Sequence, residues 1–474
     1  MSQWLPIADI AAKVQAGELK ATDLVEQSLK TIEEKKEYNA IIATTAERAR
    51  QRAAAIDKAV QDGEQLGRLA GVPFIAKDNF LVFGAETTAA SNILKGFDAP
   101  YQSTVIERLE AEGAICVAKA NLDAFAHGIS TENSDFMTTK NPHDMTRVPG
   151  GSSGGSAAAT VLDMAPFTIG SDTGGSIRQP SSFVGCVGYK PTYGLTSRSG
   201  VVPMISSTDT MGPLTRTVAD NAWVFDVFAG QDPLDSTTIS RDPAGYIDAA
   251  TDLTGKKVGL ITEYMGEGVH PEVQTRIREA AEKLTAAGAD VREISIPSLP
   301  LALAAYYIIC PAEISSNLSR HDGQRYGHSA PDATNLEESY AKARGTGFGR
   351  EAKRRIMIGT YVLSSGYYDA YYRKAQLVRT KVIAEFAKAF EDVDFLIGPA
   401  APTPAFKIGE TGDDPLQAYL ADIMTVAVSL AGVPAIVVPA GTTTDNLPVG
   451  LQIIAPQRKD RDLFGFAAGT EAIL

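Results

Sequence analysis

Three groups of residues in this chain have the types and spacing for chemistry at a carbonyl carbon. Two are glycine-rich loops that carry serines, Gly150-Gly151-Ser152-Ser153-Gly154-Gly155-Ser156 and Asp172-Thr173-Gly174-Gly175-Ser176. The third is a lysine in Ala76-Lys77-Asp78-Asn79. Glycine has no Cβ, so such loops let backbone N–H groups come close to a ligand. A hydroxyl set among those N–H groups can attack a carbonyl while the same groups hold the developing oxyanion. Neither loop has an obvious histidine partner in the sequence.

Three chemistries compete for the loops. A phosphate-binding loop needs GxxxxGK[ST]; no lysine follows either cluster, Gly255-Lys256-Lys257 lacks the upstream glycine and the hydroxyl, and GxGxxG is absent. A histidine-served elbow fits Gly151-Ser152-Ser153-Gly154-Gly155, with Ser153 as nucleophile and Ala157 to Leu162 as the helix after it. The preceding residues 144–149 make a poor strand, however. Of His127, His143, His270, His321 and His328, only the last three follow the serines, each in a polar, loop-like context. The third chemistry uses lysine as base. Lys77 ends the apolar run Val72 to Ala76, where partial desolvation lowers an amine's pKa and frees its lone pair. Ser152 and Ser176 then supply a relay and a nucleophile, and the Thr173-Gly174-Gly175-Ser176 backbone supplies the oxyanion hole. Alone, Lys77 would read as a surface salt-bridge lysine; together, the three groups favour base, relay and nucleophile.

The elements that must position these groups follow from periodicity. Ile7, Ile10, Ala11 and Val14 repeat at helical spacing, as do Val25, Leu29 and Ile32 after a capping Thr22-Asp23, and a third helix is expected from Thr45 to about Asp62. Residues 72–76 read as a buried strand, 103–112 as a helix, and 115–118 and 167–169 as strands. Residues 257–262, 271–287 and 291–294 make a strand–helix–strand unit, and 395–397 and 435–438 read as core strands. Strands alternating with helices along the chain indicate an α/β sheet covered on both faces. Residues 231–252 are polar and turn-rich, a surface connection that compels no domain boundary. No internal repeat or low-complexity segment stands out, so one large domain is expected, with helices in about the first 65 residues.

Composition narrows the function classes. The chain has 474 residues, 44% hydrophobic and 21% charged, with a formal net charge of −13. Direct nucleic-acid binding depends on lysine and arginine, so an acidic chain is a poor candidate for it. Cys116, Cys186 and Cys310 are far apart and form no CxxC pair, as in a protein with reduced, buried thiols. Residues 1–6 have neither a basic nor an apolar signal region, and no apolar run is long enough to span a bilayer. A cytoplasmic protein without membrane contact is expected.

The block from Gly150 to Pro191, with Gly-Gly-Ser-Ser-Gly-Gly-Ser and Asp-Thr-Gly-Gly-Ser-Ile-Arg-Gln-Pro, resembles the amidase signature family. Within that family, residues 319–327, 349–360 and 364–372 resemble the A subunits of bacterial tRNA-dependent amidotransferases, over nearly the whole chain. The resemblance implies the family fold, a single domain over 1–474 on a mixed twisted sheet with helices on both faces. It implies a Ser–cis-Ser–Lys triad, with Ser176 as the acyl-forming nucleophile, Ser152 as the bridging serine after a cis Gly151–Ser152 bond, and Lys77 as base. It implies glutamine as substrate, held by Arg355, Asp422 and one of the pair Tyr306-Tyr307, with Arg354 as the alternative to Arg355. It also implies a heterotrimer with B and C subunits, tRNA bound through the B subunit, and ATP and Mg²⁺ used there; no cofactor or metal is expected in this chain. One departure is visible. The family commonly has Asp-Glu-Phe-Ala-Met-Gly-Ser-Ser where this chain has Asp123-Ala124-Phe125-Ala126-His127-Gly128-Ile129-Ser130. A stand-alone amidase of small amides with the same triad, and a non-catalytic scaffold, are the rival readings.

Overall fold

Alternating short apolar runs and amphipathic stretches fold here into one mixed sheet wrapped by helices. The computed structural model describes residues 3–410 and 420–474. The strands are β1 (Ile41–Thr44), β2 (Pro73–Lys77), β3 (Ile115–Ala120), β4 (Phe167–Asp172), β5 (Val187–Lys190), β6 (Thr210–Thr215), β7 (Lys257–Ile261), β8 (Asp290–Ile294), β9 (Phe395–Pro399), β10 (Ala435–Thr442) and β11 (Pro448–Ile454). The helices before β7 are α1 (Ile7–Gln15), α2 (Ala21–Glu34), α3 (Ala46–Gln61), α4 (Thr104–Ala111), α5 (Gly154–Val161), α6 (Arg178–Val184) and α7 (Val218–Phe228). After it come α8 (Pro271–Ala286), α9 (Leu299–Asn317), α10 (Leu336–Gly347), α11 (Arg350–Leu363), α12 (Lys374–Asp392), α13 (Val426–Ala431) and α14 (Asp460–Ile473).

The eleven strands lie in the order β1-β3-β2-β4-β6-β5-β10-β11-β9-β7-β8. β2 runs parallel to both β3 and β4, and β7 runs parallel to both β8 and β9; the pairings between these groups, through β6, β5, β10 and β11, are antiparallel. Every residue of β2, β3 and β4 is buried, as expected of strands covered on both faces. The apolar stripe of α1 (Ile7, Ile10, Ala11, Val14) is buried, with α1 against α7 and α2 against α3 and β3. Residues 231–252 contain no helix or strand and are tied down by ion pairs, such as that between Asp235 and Arg198 at 2.6 Å.

Two expectations need correction. Thr22-Asp23 do not cap α2 from outside, because the helix already begins at Ala21. The cap comes from Asp57 on α3, whose carboxylate accepts the N–H groups of Ala21 (2.6 Å) and Thr22 (3.1 Å) and the Thr22 hydroxyl (2.7 Å). This satisfies donors that the first turn leaves open. The apolar-run expectation fails at α9. Within this segment of 22 residues, counted with its continuation to Arg320, one window of 18 residues reaches a mean hydropathy of 1.3, long and apolar enough to cross a bilayer. Half of it is buried within the fold, where α9 packs against α11, α12 and α13 as a core helix does.

Candidate active site

The parallel pairing of β2 with β4, Phe74 opposite Phe167 and Ala76 opposite Ile169, brings the carboxyl ends of both strands to the same side of the sheet. Lys77 is the last residue of β2, and the second glycine loop begins where β4 ends. The first loop enters α5 through a cis peptide bond between Gly151 and Ser152. Its Gly151 N–H donates to Gln179 Oε1 (2.9 Å), and its Ser153 N–H donates to the Ser176 carbonyl (3.1 Å), which fastens one serine loop to the other. A buried ion pair anchors the second loop. Asp172 accepts two bonds from the Arg178 guanidinium (2.9 and 3.0 Å) and one from the Ile177 N–H (3.1 Å). Burial alone would raise the Asp172 pKa, but Arg178 holds it below the usual carboxylate value.

Lys77 is fully buried, and its Nζ lies 2.7 Å from Ser152 Oγ, 2.8 Å from Ser153 Oγ and 3.0 Å from Ser171 Oγ. Ser153 passes its own hydroxyl hydrogen to the Ser171 carbonyl (3.2 Å), and Asn79 Nδ2 donates to Ser171 Oγ (3.0 Å). Burial pushes the amine down to about 7, although the charges of Asp123, Asp172 and Asp209 pull the other way. Two other buried lysines show what a structural lysine looks like in this fold. Lys119 forms an ion pair with Asp78 at 2.7 Å, and Lys190 donates to the carbonyls of Pro191 (2.9 Å) and Val433 (2.8 Å). Among the described residues, no carboxylate lies within ion-pairing distance of Lys77; its side-chain partners are serine hydroxyls.

The Thr173–Ser176 backbone is held from two sides. Thr173 Oγ1 donates to Asp209 Oδ1 (2.7 Å), and Thr425 Oγ1 donates to the Gly174 carbonyl (2.6 Å). Carbonyl and N–H of a trans peptide point opposite ways, so pinning the Gly174 carbonyl on Thr425 turns the Gly175 N–H away from Thr425. Gly175 has φ +145°, and a Cβ there would overlap Thr425 Oγ1, so only glycine fits. Asp209 is buried and pushed up to about 6 by desolvation, against the bonds it accepts from Thr173 and from the N–H groups of Ile205 and Met204.

A second polar cluster comes from α9, α11 and the segment before α13. Tyr307 donates its hydroxyl hydrogen to Asp422 Oδ2 (2.9 Å), and the Arg355 guanidinium lies 5.7 Å over the Tyr307 ring. Arg355 is buried, bonded to Glu351 through Nε (2.8 Å), with Nη1 3.4 Å from Cys310 Sγ. Burial pushes Asp422 up to about 7, against the Tyr307 bond and the Arg355 charge. Of the paired alternatives, Tyr307 and Arg355 join this cluster. Tyr306 instead packs its hydroxyl where a Cβ of Gly174 would sit, and Arg354 lies nearer the surface on Glu351. Thr425 connects the two clusters, since its N–H donates to the Asp422 carbonyl (3.0 Å) while its hydroxyl holds Gly174.

The structure joins Lys77 to Ser152 by a hydrogen bond and ties Ser176 to the same loop through its carbonyl, which accepts the Ser153 N–H, without a bond from the Ser176 hydroxyl to Ser152; Tyr307, Arg355 and Asp422 form the second cluster. No histidine hydrogen-bonds to a serine among the described residues. His143 meets the Val184 carbonyl, His270 caps α8, His321 meets Tyr326, and His328 meets Thr346. His127 is fully buried beside Phe125, 6.0 Å between ring centroids; burial holds its pKa well below 6.5, so the ring is neutral. Ser171, Asp209 and Thr425 support the site as ordinary polar residues recruited by the fold, and Gln179, within the quoted Asp172–Pro180 motif, was not given a role by the sequence. Ser153, an elbow nucleophile on its sequence context alone, instead binds Lys77.

The model of the family described as Amidase matches residues 23–464. The chain is 50% identical over 467 residues to the A subunit of the glutamyl-tRNA(Gln) amidotransferase of Geobacillus thermodenitrificans, covering 98% of this chain and 96% of that protein. It is 53% identical over 419 residues to the protein of the same name from a Synechococcus strain, covering 88% and 82%. Among solved structures, the A subunit of the glutamyl-tRNA(Gln) amidotransferase of Thermotoga maritima superposes with a TM-score of 0.78 at 39% identity, covering 94% of this chain and 90% of that one. The peptide amidase of Stenotrophomonas maltophilia superposes with a TM-score of 0.83 at 28% identity, covering 99% and 97%.

Proposed function

The chain belongs to the amidase family, and from that premise we propose that it is the glutamine-hydrolysing subunit of a tRNA-dependent amidotransferase. One observation carries the chemistry, the partners of a fully buried lysine: Lys77 is bonded to serine hydroxyls, where Lys119 meets a carboxylate and Lys190, which burial also pushes down to about 7, meets backbone carbonyls.

In the proposed cycle the neutral Lys77 amine takes the Ser152 proton while Ser152 takes the Ser176 proton. Ser176 Oγ then bonds to the side-chain amide carbon of glutamine. The oxyanion forms against N–H groups of residues 173–176, which Thr425 and Asp209 hold in place before substrate arrives. As the tetrahedral adduct collapses, the C–N bond breaks and the proton on Lys77 returns through Ser152 to the nitrogen, which leaves as ammonia. The glutamyl ester on Ser176 is resolved by water, activated along the same Ser152–Lys77 path, and glutamate is released. No oxidant, metal or cofactor enters this balance.

Arg355 and Asp422 support a free amino acid as substrate. A guanidinium takes the α-carboxylate on two parallel bonds, and a carboxylate beside Tyr307 takes the α-ammonium. Binding an ammonium also favours the ionised form of Asp422, which burial alone holds at about 7. Ammonia then passes to a B subunit, which binds the misacylated tRNA and uses ATP and Mg²⁺; a C subunit completes the heterotrimer. The net charge of −13 supports leaving the tRNA to a partner.

The test is Ser176→Ala in the assembled complex. Glutamine-dependent transamidation is lost, and transamidation driven by added ammonium salt is kept. Equal loss of both would overturn the assignment. The similarity to a peptide amidase keeps one rival alive: efficient hydrolysis of simple amides by the isolated chain, with glutamine no better a substrate, would favour a stand-alone amidase.

A further inference from the structure

His127 is the one histidine of the five with no partner for either ring nitrogen among the described residues. Its backbone is satisfied: the N–H donates to the Ala124 carbonyl (3.0 Å), and the carbonyl accepts from Asn133 Nδ2 (2.7 Å). Only the imidazole is left, and it is fully buried. A buried ring nitrogen without a partner costs free energy, and in a native fold it calls for an explanation. The two residues before it, Phe125 and Ala126, both take left-handed backbone (φ 55° and 63°). Such strain is costly for residues other than glycine and gathers where a ligand is held.

Resting on the reading of the chain as a glutaminase, we propose that His127 is a specificity-determining residue of the glutamine pocket, its imidazole N–H donating to the α-carboxylate beside Arg355. It selects a free α-amino acid over an amide that lacks the carboxylate.

Contacts on two sides place the ring there. On one side, the segment that carries His127 is built onto the first serine loop. Asp123 N–H donates to the Ser152 carbonyl (3.3 Å). The Asp123 carboxylate lies 2.4 Å from where a Cβ of Gly128 would sit and 2.2 Å from one of Gly151, so both glycines close on it. The Ile129 carbonyl accepts from Gln179 Nε2 (3.2 Å), and the same side chain holds the Gly151 N–H. On the other side lies the start of α11. Phe125 bridges His127 (6.0 Å between centroids) and Phe348 (5.6 Å), two residues before α11 begins at Arg350. The Arg355 charge reaches the imidazole and, together with burial, keeps it neutral. A neutral imidazole keeps one N–H donor. Beside a guanidinium, the group that such a donor meets best is an anion, and the anion of glutamine is the α-carboxylate that Arg355 forks. A protonated ring would repel Arg355 in the empty pocket; the neutral ring adds a donor without adding charge. Methionine, which the family commonly has at this position, fills similar space and has no donor.

The experiment compares two substrates on the assembled complex: glutamine, and 4-aminobutanamide, which keeps the carboxamide and the ammonium but lacks the carboxylate. His127→Met is expected to raise KM for glutamine about 10- to 100-fold with kcat little changed, because a hydrogen bond to a charged group is lost. On 4-aminobutanamide its kcat/KM should stay within about twofold of wild type. One of His127→Asn and His127→Gln, whose amide N–H reaches the place of Nδ1 or of Nε2, should recover most of the loss. Without ligand, His127→Met should unfold at the same urea concentration as wild type or a higher one, since the unpartnered nitrogens are gone. An unchanged KM for glutamine, as when an ordered water alone completes the ring, would overturn the inference. So would an equal loss on both substrates, failure of both amide variants to recover glutamine binding, or a fall in stability without ligand. The reading as a glutaminase fails by a different result: a wild-type complex that hydrolyses 4-aminobutanamide as well as glutamine, or hydrolyses neither, would end it and the role of His127 with it.

Discussion

Replacing Lys77 by methionine should remove activity and shift stability by an amount whose pH dependence reports on the lysine itself. In the unfolded chain the amine titrates near 10.4; in the folded chain burial holds it at about 7. Because the folded value is the lower one, folding expels a proton over this range. The buried amine therefore costs stability: the cost is fully present below pH 7 and fades as pH rises toward 10.4. Those two values place it at about 4 kcal/mol at pH 7 and about 2 kcal/mol at pH 9. Methionine has nearly the same length and no charge. It forfeits the bonds to Ser152, Ser153 and Ser171, each worth about 1 kcal/mol, but that loss is the same at both pH values. The stability of Lys77→Met relative to wild type should therefore fall by about 2 kcal/mol between pH 7 and pH 9. Urea unfolding of both full-length proteins at each pH measures it, and glutamine hydrolysis, assayed alongside, should fall by about 10²- to 10⁴-fold. A stability difference that does not change with pH would mean that Lys77 titrates as an ordinary lysine, and the account of its role would fail.

Three further outcomes are expected. Glutamine hydrolysis should drop about tenfold per pH unit below 7 and level off above it, because Lys77 must be neutral to accept a proton; a pH-rate profile of the wild-type complex checks this. Arg355→Lys keeps the charge but loses the planar fork and the stacking on Tyr307, so KM for glutamine should rise about 10- to 100-fold with kcat little changed, as steady-state kinetics will show. Asp57→Ala removes the cap from α2 and should lower unfolding stability by about 1 kcal/mol, with glutaminase activity kept.

What the sequence revealed and what it hid have physical causes. Lys77, Ser152 and Ser176 stood out because glycine loops and a lysine closing an apolar strand are locally unusual. Their partners were hidden for the opposite reason: Ser171, Asp209 and Thr425 are ordinary residues, and Thr425 lies about 250 positions from the carbonyl it holds. The glutamine cluster was legible only through resemblance, since an arginine, an aspartate and a tyrosine far apart in the chain have no pattern of their own. In the fold, the parallel strands β2, β3, β4, β7 and β8 read clearly from apolar runs set between helices. The antiparallel strands β5, β6 and β11 did not, because Gly188, Gly212, Pro213 and Gly450 break their β signal. Packing requires two of those glycines: a Cβ on Gly188 would overlap Ser181 Oγ, and one on Gly212 would overlap the Tyr189 carbonyl. The expected cap at Thr22-Asp23 missed because Asp57, on a different helix, supplies it.

The most direct test of the mechanism is the position of the covalent intermediate. The assembled complex is incubated with glutamine, quenched in acid during turnover and mapped by peptide mass spectrometry. The account predicts a glutamyl ester on Ser176, absent from Ser176→Ala and strongly reduced in Lys77→Met. An ester on Ser152 or Ser153 instead, or full turnover with Ser176 never modified, would contradict it.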